Sequence, residues 1–253
     1  MITRILMTTV CFCAVAATCS PSTAADFNYN YLLHARMKLD PDFDFVGLAT
    51  PYMQLYRPSV YKQCRNDEFQ FHKRRRETSE QMKQVAESVN LDDTVALLTT
   101  MSIGNYDFSS NQFYVNEAES TRYWHVSRPG YVPDLPGHFE LFLKNPLAIR
   151  SIPMTEDAAN NFVERRKDRY GNVNRQLYAT LNIKLVGFKN AKDEFLGHID
   201  SAKFYSDPHR TQLVYEVTKA MVEASDKLEV QEVDNQPSRK ESPFSAASML
   251  FEF

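Results

Sequence analysis

The residues best placed for proton or metal chemistry are His198 and Asp200. They flank Ile199 and so share one face of an extended strand, and Asp207 and His209 offer a second pair shortly after. An imidazole beside a carboxylate can move a proton or hold a cation, so a small hydrolase or lyase centred on His198, Asp200 and His209 is one reading. The spacing indicates no third partner, and His and Asp near a hairpin are common at surfaces; no catalytic residue is assigned. The remaining histidines, His34, His72, His125 and His138, lack the paired H-E-x-x-H spacing of a zinc helix, and no metal ligands are assigned.

Other candidate chemistry is weaker. Cys64 precedes Arg65, which could lower a thiol pKa, yet no spacing singles out a base for it, and free Cys is among the most buried residue types. No G-x-S-x-G is present, and with 7 Gly in the chain neither G-x-x-x-x-G-K nor G-x-G-x-x-G occurs, which argues against serine nucleophiles and nucleotide cofactors. Asp40, Asp42 and Asp44 alternate as calcium ligands do, but Phe45 and Pro51 stand where a calcium loop needs Gly and Glu. They read as a solvated acidic turn. Lys73-Arg74-Arg75-Arg76 reads as a solvated helix face, with Lys73–Glu77 and Arg76–Glu80 as i,i+4 pairs. No cofactor is expected.

The compartment is better marked than the chemistry. Residues 1–25 begin with Arg4 as their only charge, run apolar from Ile5 to Ala17 and end in small residues through Ala24-Ala25, the order that secretion machinery reads. The apolar stretch is short of the roughly 20 residues a membrane-spanning helix requires. A cleaved signal peptide and a periplasmic or secreted product are expected, with a lipoprotein acylated at Cys19 as the alternative. Of the 4 Cys, only Cys64 lies outside this leader, so no internal disulfide is expected and the fold must rest on its apolar core.

The 253 residues are 43% hydrophobic, 24% charged and 12% aromatic, with a net charge of -3; this fits a packed globular unit and disfavours a dedicated nucleic-acid binder. Positioning falls to the periodic segments. Helices are predicted over Asn30–Lys38, Glu68–Val89 (with Phe69, Met82, Val85, Ala86 and Val89 as its apolar stripe), Glu156–Asp168 and His209–Ser225, although Leu213–Val217 could begin the last as a strand. Strands are predicted over Thr94–Ile103, Phe113–Val115, Thr121–Val126 and His138–Leu143. Gln176–Phe188 and Phe195–Tyr205 form a long hairpin. The stretch Phe43–Tyr61 has no clean period and is expected to be irregular. Helix, strand, turn, strand recurs at 66–115 and 155–205, an echo that a duplicated unit would explain.

The fold class expected is α+β: an antiparallel sheet with long hairpins packed against two or three helices, in one domain spanning 26–225, followed by a flexible tail over 226–253. The alternating Met249, Phe251 and Phe253 of that tail are similar to the closing strand of outer-membrane barrels. The charged helices do not suit a barrel, so a docking tail or a strand folded back onto the domain is expected. Arg65-Asn66-Asp67-Glu68-Phe69, Tyr106-Asp107-Phe108 and Ile199-Asp200-Ser201-Ala202-Lys203-Phe204-Tyr205 carry a resemblance, over about Tyr52 to Val217, to a bacterial family of exported proteins known only as a domain of unknown function. The resemblance implies no activity and no functional residues. With 13 Tyr, 17 Phe and 1 Trp available for binding faces, the expectation is a noncatalytic envelope protein that binds another protein or an envelope component. The oligomeric state is left open.

Overall fold

The computed structural model describes residues 25–118 and 123–234. The leader, from 1 to 24, and the tail beyond 234 lie outside the described residues, so the readings made on them stand as expectations.

The chain opens with a two-residue strand, β1 (Ala25–Asp26), and helix α1 (Tyr29–Leu39). Asn28 caps α1 by accepting a hydrogen bond from the Tyr31 amide, and Asp40 ends it because the following Pro41 forces extended backbone. The stretch expected to be irregular instead forms α2 (Ala49–Tyr56) and α3 (Pro58–Cys64). Pro51 falls in the first turn of α2 and Pro58 at the first position of α3, where no backbone donor is needed, so both prolines start helices here.

Asp67 caps α4 (Glu68–Ser88) through the Gln70 amide. Its buried positions are Thr78, Ser79, Met82 and Ala86, all in the second half. Phe69, expected in the apolar stripe, is 86% exposed. Ten residues before Ser79 the helix has turned about 80° away from that seam, which places Phe69 off the contact line.

The strands are β2 (Val95–Asp107), β3 (Gln112–Val115), β4 (Tyr123–Ser127), β5 (His138–Leu143), β6 (Ser151–Pro153), β7 (Gln176–Phe188), β8 (Glu194–Tyr205) and β9 (Leu213–Val217). A 3₁₀ turn, Pro146–Ile149, precedes β6, and α5 (Glu156–Glu164) follows it. β2 continues past Ile103, its predicted end, through Gly104-Asn105 by taking up a bulge between Ile103 and Tyr106. α5 stops four residues early, and Thr155 stands at its N-cap without a side-chain bond. The last predicted helix splits: Leu213–Val217, rich in apolar and aromatic side chains, pairs with β8, and α6 (Lys219–Asp234) follows, taking in the first residues of the expected tail.

The α+β class holds. The sheet is curled and mixed, in the order β4-β5-β8-β7-β2-β3-β6, with β1 beside β2 and β9 beside β8. Antiparallel hairpins dominate, and β5–β8 and β1–β2 are parallel. The two helix-plus-hairpin segments noted in the sequence lie side by side through the β2–β7 pairing, Leu97 opposite Leu181. Leu177, Ala179, Leu181, Ile183 and Leu185 of β7 and Phe195, Ile199, Ala202 and Phe204 of β8 fill one face, packed with α1 residues Tyr29, Leu32, Leu33 and Met37 in a single core. Among the described residues no helix is long and apolar enough to cross a membrane.

Candidate functional site: a histidine clamp and a groove

His198 owes its position to irregularities of β8. Gly197 sits where a Cβ would come within 2.6 Å of Ile183 Cγ2 and 2.8 Å of Leu141 Cδ1, so glycine lets three strands approach closely. The β7–β8 register then shifts between Asn182 and Ile183, which leaves Asp200 as an extra residue. Along its other edge, β8 pairs with β5 as far as Gly197 and with β9 from Ala202, and Ile199 falls in the gap. The buried side chain of Asn145 fills it: its Oδ1 accepts from the Ile199 amide at 2.8 Å and its Nδ2 donates to the Ile199 carbonyl at 3.1 Å.

Asn145 Nδ2 also donates to Asp226 Oδ1 at 3.3 Å, which commits both of its hydrogens to oxygens. His198 Nε2, 2.8 Å from Asp226 Oδ2, must therefore be the donor in that pair and cannot accept from Asn145 at 3.1 Å. Nδ1 faces Asp200 Oδ1 at 3.6 Å, and Lys184 Nζ lies 3.6 Å from the other Asp200 oxygen. Both ring nitrogens thus face carboxylates, and among the described residues no hydroxyl or thiol hydrogen-bonds the ring. A general base needs a free lone pair aimed at a substrate proton. This arrangement instead clamps α6 against β8 and the 3₁₀ turn.

The structure brings His198 and Asp200 together as the sequence suggested, but it does not add His209. Seven residue steps of β8, about 23 Å of strand, separate His198 from Tyr205, and His209 lies exposed in the turn beyond. Asp207 is spent on that turn, accepting from the Thr211 and Gln212 amides. Asn145 and Asp226, which complete the cluster, escaped sequence reasoning because neither has a spacing relation to His198.

An open groove of about 1070 Å³ lies elsewhere, between the end of α5 and β9. Met154, Phe162, Leu213 and Val214 line it beside polar Asn161, Asn174 and Gln212, and its charged side chains are Arg165, Arg166, Lys167 and Asp168. Arg166 braces it by donating to the carbonyls of Asn174 at 2.6 Å, Ser206 at 3.1 Å and Gln176. Burial lowers the pKa of that guanidinium from its ordinary value. Among the described residues Lys167 pairs with Glu164, whereas Arg165 has no carboxylate partner.

The acidic turn is not simply solvated: Asp40 is buried and held by Lys192 at 2.6 Å, and Asp44 Oδ1 accepts from the Gly47 amide at 2.7 Å. Cys64 is buried and free, as its composition suggested. On α4 the ion pairs are i,i+3, Arg74–Glu77 at 2.7 Å and Lys83–Glu80 at 3.0 Å, in place of the i,i+4 pairs expected. His125 and His138, distant in sequence, stack with ring centroids 4.5 Å apart.

The fold and these sites define an α+β protein with a curled mixed sheet, a polar clamp on α6 and an open groove of mixed polar and apolar lining. Residues 48–165, a little under half of the chain, match a family described as Domain of unknown function (DUF4852), and over that segment the resemblance to an uncharacterised family holds. The match runs from the start of α2 to the end of α5, so β8 and α6 lie outside it. No curated protein and no solved structure matches the chain.

Proposed function

We propose that the protein is exported to the periplasm and acts there as a noncatalytic binding protein, docking an acidic segment with apolar side chains from an envelope partner into the groove between α5 and β9. The groove carries this reading: it sets Met154, Phe162, Leu213 and Val214 beside three cations, Arg165, Arg166 and Lys167, against the single acid Asp168, and Arg165 has no carboxylate partner among the described residues, a balance suited to such a segment. The signal-like composition of 1–25 supports export.

A photo-crosslinking side chain at Leu213, which is 52% exposed, tests the docking reading in cells. Crosslinks to a discrete envelope partner are expected from Leu213, absent from the equally exposed Val46 and lost with Arg165→Glu. Equal crosslinking from both positions, or indifference to Arg165→Glu, overturns it. N-terminal sequencing of the periplasmic product should begin at Ala25 or Asp26, whereas a cytosolic product beginning at Met1 overturns export. The second reading, a small periplasmic hydrolase or lyase, draws on the His198–Asp200 approach. It requires substrate to displace Asp200 or Asp226 from the ring.

A further inference from the structure

We propose that His125, His138 and Glu140 form a binding site for a zinc-class divalent ion on the outer face of the β4–β5 hairpin. The antiparallel register sets His125 opposite Glu140 and Ser127 opposite His138, so all four side chains share one face. One ligand atom from each of the two histidines and the glutamate lies within 4.8 Å of the others. His138 Nε2 and Glu140 Oε1 are already 3.8 Å apart. Donors around a four-coordinate ion at about 2.1 Å stand roughly 3.4 Å from one another, so small side-chain rotations close the set.

The electrostatics point the same way. Glu194 of β8 is in parallel register with Glu140, which puts a second carboxylate on this face, and among the described residues neither glutamate is paired with Lys or Arg. Two imidazoles stacked 25° from parallel beside the Glu140 carboxylate supply the nitrogen and oxygen donors of this face. His125 Nε2 hydrogen-bonds Ser127 Oγ at 2.9 Å, which orients the ring and leaves its other nitrogen for the ion. Two imidazoles and one carboxylate suit Zn²⁺, Ni²⁺ or Cu²⁺ and disfavour Ca²⁺ and Mg²⁺, which take oxygen ligands. Three protein ligands leave at least one position open. The ion would tie β4, which among the described residues pairs only with β5, to its neighbour.

Calorimetric titration with ZnCl₂ tests this on the protein as cells process it, purified without a polyhistidine tag and stripped with chelator. One equivalent of Zn²⁺ should bind, with no comparable heat from Ca²⁺ or Mg²⁺. His125→Ala and His138→Ala should each weaken binding by more than the roughly 10–100-fold that losing a ligand's hydrogen-bond partner costs. His198→Gln, which alters the other imidazole–carboxylate cluster, should leave it unchanged. Co²⁺ should give visible absorption that His138→Ala abolishes. Absence of Zn²⁺ binding, binding that survives both alanine variants, or binding lost with His198→Gln overturns the proposal. His125 is exposed and His138 nearly so, and circular dichroism of the variants should match that of the parent.

Discussion

Asn145→Ala is the sharpest test of how the clamp is built. The amide of Asn145 acts as a one-residue strand, meeting both the N–H and the C=O of Ile199 where β8 has β5 on one side of the gap and β9 on the other. Truncation leaves a donor and an acceptor without partners beside a residue that is fully buried. Each such group costs about 1–3 kcal/mol, so a loss of roughly 2–6 kcal/mol is expected, toward the low end if water enters. Against a total stability of about 5–15 kcal/mol, that is a large shift. Urea unfolding should show a lower midpoint at unchanged slope, and hydrogen exchange at the Ile199 amide should accelerate. Asp226→Asn separates two explanations, since it loosens α6 but leaves the Ile199 bonds in place. A loss below about 0.5 kcal/mol for Asn145→Ala, or one that vanishes in the Asp226→Asn background, would refute the strand-filling role.

Asp226→Asn itself should cost about 1 kcal/mol by urea unfolding, because the carboxylate bonded to His198 is a third exposed and partly screened. Gly197→Ala should cost about 1–3 kcal/mol, as the added methyl must displace Ile183 or Leu141, and the thermal midpoint would report it. Phe69→Ser should change stability by no more than about 0.5 kcal/mol in the same measurement, since the ring is mostly in solvent. Burial lowers the His34 pKa from 6.5, so the folded state resists its protonation. Stability is full above pH 6.5 and falls as pH drops through the lower folded-state pKa, and His34→Gln should flatten that slope in unfolding measured from pH 7 to 5.

Where one local pattern dominated, the elements were readable in the sequence. β7 matches its predicted bounds because Leu177 to Leu185 alternate without interruption, and β5 matches because its ends are set by Gly137 and Asn145-Pro146. The pattern failed where two signals competed. Pro51 and Pro58 looked like breakers in an aromatic stretch, yet a proline at a helix start and a proline inside a loop read alike until tertiary contacts decide. Leu213–Val217 fits helical spacing and strand propensity together, and only the open edge of β8 beyond Ala202 selects the strand.

Sites depend on register, which one-dimensional spacing does not encode. His198 and Asp200 were visible because they share a strand. Asn145 lies 53 residues from His198 and Asp226 lies 28, and they meet it only because a gap between two partner strands admits an amide on one side and a helix on the other. The same holds for His125 and His138: a search for ligands on one helix passes over them, whereas an antiparallel pair sets them diagonally across one face. In this sheet both donor clusters are completed across strands and not along one. The side chains to question first are therefore those that share a face after pairing, and among the described residues that criterion brings out His125, His138 and Glu140 as well as the His198 cluster.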